Sequence, residues 1–345
     1  MRYGVPYQGS KNYIARWMID NLPEDEILVD LFAGGCAVTH AALLSGKWDR
    51  IVANDIGDAP ELFCDAIEGK YADEKRWISR EDFQDLKDAD PYVSICWSFG
   101  NNRSNYLYGK EIEPWKKALH YARVFGDNSL LLEMGIDSDG SPSDIKANET
   151  EYKEKYIYWW LSKQKCISLA SNTLITNDKL NIKENKDKSR QYFISSLKKS
   201  ELKSIEKIQR AQKLEFLQHL SRVERLQSLQ SLQTYKNNLT ITRKSYADVA
   251  IPDNAVVYAD PPYKGTVQTG YKCDFDYAPF EKWLNEVPFM VIVSEYSAPA
   301  RCVEIASIKK QSLSAQVKKD RTTTEKLFVQ ERFYNEYLQK MGRSI

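Results

Sequence analysis

Residues 26–45, EILVDLFAGGCAVTHAALLS, decide the fold. The apolar run at 26–32 predicts a strand, AGGC at 33–36 predicts a tight turn, and 37–45 predicts a helix. A Gly-rich turn between a strand and a helix lets a ligand approach the backbone and meet the N-terminus of the helix. The stretch therefore predicts the first unit of a doubly wound α/β sheet, with a ligand site at the turn.

A second strand ends in an acid that suits a nucleoside ligand. Residues 50–54, RIVAN, form a short apolar run, and Asp55 follows it. Asp55 lies 21 residues after Gly34, close to the spacing of about 20 at which an acid meets ribose hydroxyls in dinucleotide-type folds. A helix N-cap is the alternative role. The spacing favours the ribose role, and with it a nucleoside cofactor.

A third strand end carries chemistry for an amine acceptor. The apolar run AVVYA at 255–259 predicts a buried parallel strand, and Asp260, Pro261, Pro262 and Tyr263 follow it. An amine on a base ring is a poor nucleophile because its lone pair is delocalised into the ring. Asp260 and the Pro261 carbonyl can each accept one of its N–H bonds, and Tyr263 can stack on the base. A Pro-Pro turn that only ends the strand is the alternative.

At these motifs the chain resembles the Dam-like DNA adenine-N6 methyltransferases. The match covers the N-terminal part up to Asp55 and the C-terminal part from Ser245 onward, with the cofactor motif before the amine motif as in that family. The matching segments are YQGSK at 7–11, LFAGG at 31–35, ND at 54–55, SYAD at 245–248, DPPY at 260–263, MVIVS at 290–294 and KLFV at 326–329.

The resemblance implies a Rossmann-like methyltransferase sheet and S-adenosylmethionine as the cofactor. The residues that it places around the cofactor are Tyr7, Lys11, Phe32, Gly34, Asp55 and Asp260. The catalytic set that it implies is Asp260, Pro261, Pro262 and Tyr263, with Asp260 between cofactor and flipped adenine. Two positions depart from the family: Cys36 replaces a second Gly, and Leu31 stands where Pro is common. A solvated Lys11 in the first turn of a helix over 11–21, and a plain core role for Phe32, are the alternatives.

Composition indicates a soluble cytoplasmic enzyme, with a monomer favoured. The N-terminus lacks a charged leader followed by an apolar stretch, and no run reaches 18 apolar residues, so we expect no signal peptide and no membrane span. The six cysteines are scattered without a CxxC pair, and the three histidines do not cluster. We therefore expect neither disulfides nor a metal site.

The charge is unevenly distributed along the chain. Residues 153–244 hold 20 Lys and Arg against 8 Asp and Glu, whereas the remainder holds 29 against 40. A basic block beside an acidic remainder is typical of phosphate binding, and it indicates double-stranded DNA as the partner; a solvated lysine-rich helical region is the alternative. We predict a catalytic domain formed by 1–62 and 238–345, with 63–237 as an inserted, largely helical target-recognition region. Residues 98–109, SFGNNRSNYLYG, are predicted to belong to the recognition surface.

A repeat of three residues lies inside the predicted insertion. From 202 to 232 every third residue is apolar, mostly Leu. In an α-helix this period drifts around the axis, whereas a 3₁₀-helix would align it, although such helices are usually short. Two or three packed helices are the expectation, and a regular three-residue structure is the alternative.

The motifs predict an α/β enzyme that transfers a group from a nucleoside cofactor to an amine on a base. The resemblance implies that the base is a flipped adenine at specific sites in DNA, as in restriction–modification systems. We expect strands near 26–32, 50–54, 255–259, 288–294, 302–307 and 326–331. Three other functions remain open: cytosine-N4 methylation of DNA, methylation of RNA or of a protein amide, and DNA binding by a catalytically silent protein of the same fold.

Overall fold

The computed structural model describes residues 2–110, 112–133, 217–264, 275–311 and 322–343. The strands are β1 (Ile27–Asp30), β2 (Arg50–Asn54), β3 (Leu239–Thr242), β4 (Ala255–Ala259), β5 (Val291–Glu295), β6 (Cys302–Gln311) and β7 (Thr322–Gln330). The α-helices are α1 (Ala15–Asp20), α2 (Ala37–Ser45), α3 (Ala59–Ile67), α4 (Arg80–Leu86), α5 (Pro91–Cys96), α6 (Glu113–Phe125), α7 (Ser129–Glu133), α8 (Gln218–Ser228), α9 (Tyr277–Glu286) and α10 (Tyr334–Lys340). Short 3₁₀ segments lie at Phe99–Asn101, Leu229–Asn238, Tyr246–Asp248 and Glu331–Phe333.

The seven strands form one mixed sheet in the order β3-β2-β1-β4-β5-β7-β6. The five strands from β3 to β5 run parallel, and β7 is antiparallel to both β5 and β6. Strands β1, β2 and β3 follow one another outward in one direction across the sheet. The chain then crosses back, and β4 pairs with the other side of β1. This reversal makes the gap between β1 and β4 the switch point, where ligands bind in open α/β sheets. The predicted doubly wound, Rossmann-like α/β fold is confirmed.

The strand register brings the functional ends of β1, β2 and β4 level with one another. Asp30 of β1 pairs with Ala53 of β2 and with Tyr258 of β4. Both faces of these strands are buried, and β1 is buried at every position. Such burial explains why the strands are near-continuous apolar runs in the sequence. The residues that follow each strand therefore meet at one carboxyl edge of the sheet.

The observed elements agree with most of the predicted ones. Each of the six predicted strands is present, with ends shifted by a few residues. The short strand Leu239–Thr242 was not predicted. The helix predicted at 37–45 is confirmed, whereas the helix predicted over 11–21 spans only Ala15–Asp20. Lys11 therefore lies in the loop before that helix and not in its first turn.

The described residues fall into two compact units. One unit comprises Met1–Leu107 and His219–Ile345, and the other comprises Tyr108–Gln218. The first unit contains the whole sheet, and it also contains α4 and α5, which lie within the predicted insertion. In the second unit α6 packs with α7. The domain division at 63 and 237 stays a prediction.

The described part of the three-residue repeat passes from an α-helix into a 3₁₀-helix. Helix α8 ends at Ser228, and Leu229–Asn238 continues as a 3₁₀ segment of 10 residues. Val223, Leu226, Leu229 and Leu232 are all buried. A residue every three positions drifts around an α-helix but stays on one face of a 3₁₀-helix. The change of helix type thus keeps the apolar row directed into the core, and residues 202–216 lie outside the described residues.

No helix within the described ranges is long and apolar enough to cross a membrane.

Candidate active site

A cavity opens at the carboxyl ends of β1, β2 and β4. Its volume is about 280 Å³, near the lower end for small-molecule sites. The predicted site residues that line it are Tyr7, Lys11, Phe32, Gly34, Asp55, Asp260 and Pro262. Pro261 and Tyr263 are not among the described residues that line it. The structure thus brings together residues from both ends of the chain.

The turn after β1 is packed directly against Tyr7. Gly34 has a φ of +47°, and a Cβ atom there would lie 2.9 Å from the Tyr7 ring. At Gly35 a Cβ atom would lie 2.5 Å from the Cβ atom of Tyr7. Cys36 follows with a φ of 56°, in the left-handed region that glycine prefers. Cys36 therefore adopts a conformation that favours glycine, at a cost of about 1–2 kcal/mol.

Asp55 is held in place by the turn that it faces. Its Oδ2 atom accepts a hydrogen bond from the amide of Gly34 at 2.8 Å, and its Oδ1 atom accepts one from the amide of Gly57 at 2.7 Å. Burial raises the pKa of Asp55, and the two amides oppose that rise. Each carboxylate oxygen has a second lone pair, so Asp55 can also accept from ligand hydroxyls.

The preceding residue, Asn54, joins three segments at the cavity wall. Its amide nitrogen donates to the carbonyls of Leu31 and Lys244, both at 3.0 Å. Its oxygen accepts from the Thr242 hydroxyl at 2.8 Å and from the Lys244 amide at 3.1 Å. Asn54 is fully buried, and its role is to fix the ends of β1 and β3 around Asp55.

Two buried acceptors on the cavity wall lack a partner among the described residues. Asp30 is 1% exposed; its Oδ2 atom accepts from the Thr39 hydroxyl at 2.7 Å, and its Oδ1 atom is unpartnered. Burial raises the pKa of Asp30 to about 7, and the nearby carboxylates of Asp260 and Asp55 add to the rise. The Oε1 atom of Gln8 is a second unpartnered acceptor. Buried acceptors normally have donors, so this part of the cavity suits a ligand that carries N–H or O–H groups.

Lys11 and Asp260 form a buried ion pair beside the cavity. The Nζ atom of Lys11 lies 2.8 Å from Oδ1 of Asp260 and 3.5 Å from Oε1 of Glu325. Burial lowers the pKa of Lys11, but the carboxylates of Asp260 and Glu325 outweigh burial and raise that pKa above its usual value. Lys11 therefore carries a positive charge that the two acids share.

Tyr263 faces away from the cavity in this conformation. The residue is 7% exposed, and its hydroxyl contacts the carboxylate of Glu325 and the hydroxyl of Ser294, the latter at 2.7 Å. The Nζ atom of Lys11 lies 4.4 Å from the centre of its ring. The ring of Tyr296 meets it edge-on, with centroids 4.5 Å apart. Stacking of Tyr263 on a base stays a prediction.

The turn after Asp260 is fixed by Tyr277 and Glu295. The Tyr277 hydroxyl donates to the carbonyl of Pro262 and to the carboxylate of Glu295, the latter at 2.9 Å. Glu295 also accepts from the amide of Lys264 at 2.6 Å. This turn therefore keeps its shape through contacts with α9 and the end of β5.

Aromatic side chains form the apolar wall of the cavity. Phe32, Tyr246 and Phe275 all line it, and the rings of Phe32 and Tyr246 are stacked with centroids 5.4 Å apart. Phe32 also packs against the core of the sheet. The core-packing role considered for Phe32 is therefore present, and its contact with a cofactor stays a prediction.

Residues 98–109 are only partly exposed. Arg103 is 11% exposed, lines the cavity and forms an ion pair of 2.5 Å with the buried Asp58. Tyr106 and Leu107 are buried, whereas Phe99 is 65% exposed. The Arg103 side chain thus belongs to the cavity wall. The role of this stretch in DNA recognition stays a prediction.

Two arginines of the basic block bind main-chain carbonyls. Arg222 donates to the carbonyls of Cys96 and Ser98, both at 2.8 Å. Arg225 donates to the carbonyls of Tyr3 and Gly4. These contacts hold the guanidinium groups against the backbone of the first unit. Most of the block lies outside the described residues.

Five residues line the cavity or support the amine site although the sequence analysis assigned no site role to them individually. They are Gln8, Asp30, Arg103, Tyr246 and Glu325. A charged residue inside a buried strand was the available signal for Asp30. Among the described residues no group of three or more His, Cys, Asp or Glu side chains could hold a metal ion.

A comparison with known protein families identifies part of the chain. Residues 7–118 match the family described as D12 class N6 adenine-specific DNA methyltransferase. The matched segment contains Tyr7, Lys11, the turn at Gly34 and Asp55. No curated protein matches the chain.

Proposed function

Since residues 7–118 match the D12 class of N6 adenine-specific DNA methyltransferases, we propose that the chain is an enzyme of this class and transfers the methyl group of S-adenosylmethionine to a flipped adenine at specific sites in duplex DNA. One observation carries the proposal. Asp55, which suits ribose hydroxyls, and Asp260, which suits an amine, line the same cavity at the switch point of the sheet.

The described residues fit the cofactor. Asp55 would accept the ribose hydroxyls, because each of its oxygens retains a lone pair beside the amides of Gly34 and Gly57. The unpartnered acceptors of Asp30 and Gln8 would receive the ammonium of the methionine part. Phe32 and Tyr246 would contact the adenine ring of the cofactor. The carboxylates of Asp30, Asp55 and Asp260 in the lining would also attract a positive sulfonium.

The amine site would act by position and electrostatics. When bound, S-adenosylmethionine supplies a methyl group activated by the sulfonium. Asp260 and the Pro261 carbonyl would accept the two N–H bonds of the target amine and draw its lone pair towards that methyl group. Lys11 holds the Asp260 carboxylate in place through the 2.8 Å ion pair. Such positioning is the main source of rate in transfers that need no covalent intermediate.

The target base must leave the duplex before it can reach Asp260, because its amine is not accessible inside the base stack. In our proposal residues 63–237 bind the DNA and supply target recognition. Tyr263 would stack on the flipped base once its ring turns towards the cavity.

The direct test is product analysis. Purified protein is incubated with unmethylated genomic DNA and S-adenosylmethionine, the DNA is digested to nucleosides, and methylated bases are measured by mass spectrometry. We expect N6-methyladenine. Asp260→Asn is the matched control, because it removes the charge while conserving the shape, and we expect it to give no product.

The other outcomes separate the remaining functions. N4-methylcytosine would keep the fold and overturn the base assignment. Cofactor binding by calorimetry without any methylated base would argue against duplex DNA as the substrate, and RNA would then be tried. Absence of cofactor binding would support a silent DNA-binding protein.

A further inference from the structure

Glu325 is an acid at the amine site that no motif identifies. It lies on β7, opposite Ile308 of β6, and it is fully buried. The antiparallel pairing of β7 with β5 places Leu327 opposite Ser294. This pairing carries Glu325 to the carboxyl edge of the sheet, next to the turn that holds Asp260.

Three donors from three different segments converge on the Glu325 carboxylate. The Tyr263 hydroxyl donates to it, the Ser294 hydroxyl donates to it at 2.7 Å, and the Lys11 ammonium lies 3.5 Å away. Two of these donors also belong to the proposed catalytic apparatus. Lys11 pairs with Asp260, and Tyr263 follows Asp260 in the same turn. A buried carboxylate with this many donors is a fixed anchor for the groups that contact it.

We propose, on the basis of the proposed function, that Glu325 is a positioning residue of the amine site: its ionised carboxylate holds Lys11, and Lys11 in turn holds Asp260 where it meets the target amine. Glu325 itself touches neither substrate nor cofactor in this proposal. It acts through Lys11, which lies between the two acids.

The charge of the cluster supports a role for the ionised form. With Glu325 ionised, Lys11, Asp260 and Glu325 together carry one net negative charge, and with Glu325 protonated they are neutral. Methyl transfer moves a positive charge from sulfur to the base, so the negative cluster stabilises the transition state better than the neutral one. Protonation would also force the carboxyl to donate a hydrogen bond, which disturbs the set of three donors.

The groups that face Glu325 put its titration in the neutral range. Burial raises the pKa of Glu325 to about 7, with Lys11 opposing the rise and Asp260 adding to it. From β5 the facing group is Ser294, and from the segment after β4 it is Tyr263. We therefore expect the methylation rate to increase with pH through about 7.

The experiment measures single-turnover methylation of unmethylated genomic DNA at saturating S-adenosylmethionine, from pH 5.5 to 9 at even spacing, for wild type, Glu325→Gln and Ser294→Ala. We expect the wild-type rate to fall about tenfold per pH unit below its inflection. Glu325→Gln should lose the inflection and be roughly ten- to hundredfold slower at the plateau. Its cofactor affinity, measured by calorimetry, should remain close to that of wild type.

Ser294→Ala tests the proposal without removing the acid, and it decides the matter if Glu325→Gln does not fold. Loss of a donor to the ionised carboxylate should move the inflection to higher pH by about one unit. The proposal is overturned if the inflection is unchanged in Ser294→Ala. It is also overturned if the inflection persists in Glu325→Gln, because it then belongs to another group such as Asp30. No methylation by wild type at any pH overturns the proposed function itself, and Glu325 as a positioning residue falls with it.

Discussion

Asp30→Asn is expected to stabilise the cofactor-free protein at pH 8. The native pKa of Asp30 is about 7 against an ordinary value of 3.8. Between these two values the native state holds a proton that the unfolded state has lost, so stability falls as pH rises. The free-energy cost of ionising the buried Asp30 in the native state is absent below pH 3.8 and complete above about pH 7. Three pH units at about 1.4 kcal/mol each give a cost of about 4 kcal/mol.

Replacing Asp30 with Asn removes the cost of ionisation but introduces a smaller cost of its own. A buried Asn that lacks a partner for one of its groups costs about 1–3 kcal/mol, so the net gain at pH 8 is about 2 kcal/mol. At pH 4 the acid is protonated in the native state and costs little, whereas the amide keeps its penalty. Asp30→Asn should therefore be the more stable protein at pH 8 and the less stable one at pH 4.

Urea unfolding of the cofactor-free protein at several pH values measures the two curves. Asp25→Asn is the matched control, because its expected effect on stability at pH 8 has the opposite sign. The pKa of Asp25 is lowered even though burial opposes the effect, because Lys340 binds its carboxylate at 2.6 Å. That substitution should destabilise the protein at pH 8 and change little at low pH. An Asp30→Asn protein that is less stable than wild type at both pH values would refute the reasoning.

Three further substitutions address the site and the core. Asp260→Ala should abolish methylation while DNA binding in a gel-shift assay persists; single-turnover rates close to wild type would contradict this. Gly34→Ala should weaken cofactor binding in calorimetry at least tenfold and destabilise the fold by about 1–2 kcal/mol, because its Cβ atom would meet the Tyr7 ring at 2.9 Å with φ at +47°. Leu229→Ala should cost about 2–5 kcal/mol in urea unfolding, because Leu229 is fully buried; a cost no larger than that of the exposed Gln233→Ala would contradict it.

The sequence predicts the central strands because their burial on both faces makes them continuous apolar runs. Strands β1, β2 and β4 are such runs, and their functional residues directly follow the apolar segments. The sequence alone was therefore enough to place Asp55 and Asp260 at one edge of the sheet. Leu239–Thr242 escaped prediction because it is half exposed at the sheet edge and directly follows a 3₁₀ segment.

The supporting residues could not be predicted, since their roles depend on pairing between distant segments. Glu325 lies 62 residues after Tyr263, and only the antiparallel placement of β7 brings the two into contact. Arg103 reaches the cavity through a left-handed backbone conformation at φ 63°, which no sequence pattern indicates for Arg. Local patterns identify groups that follow a strand, but not groups that other strands deliver to the same place.

The charge of the active site explains why the chain separates its acidic and basic residues. Asp30, Asp55 and Asp260 line the cavity with Glu325 close by. Lys11 pairs with Asp260 and Glu325, and Arg103 on the same wall pairs with Asp58. An acidic edge suits a cationic cofactor but repels DNA phosphates. In our proposal the attraction for phosphates comes from the basic block at 153–244. Segregation of charge thus allows one chain to hold a cation in its cavity and a polyanion on its surface.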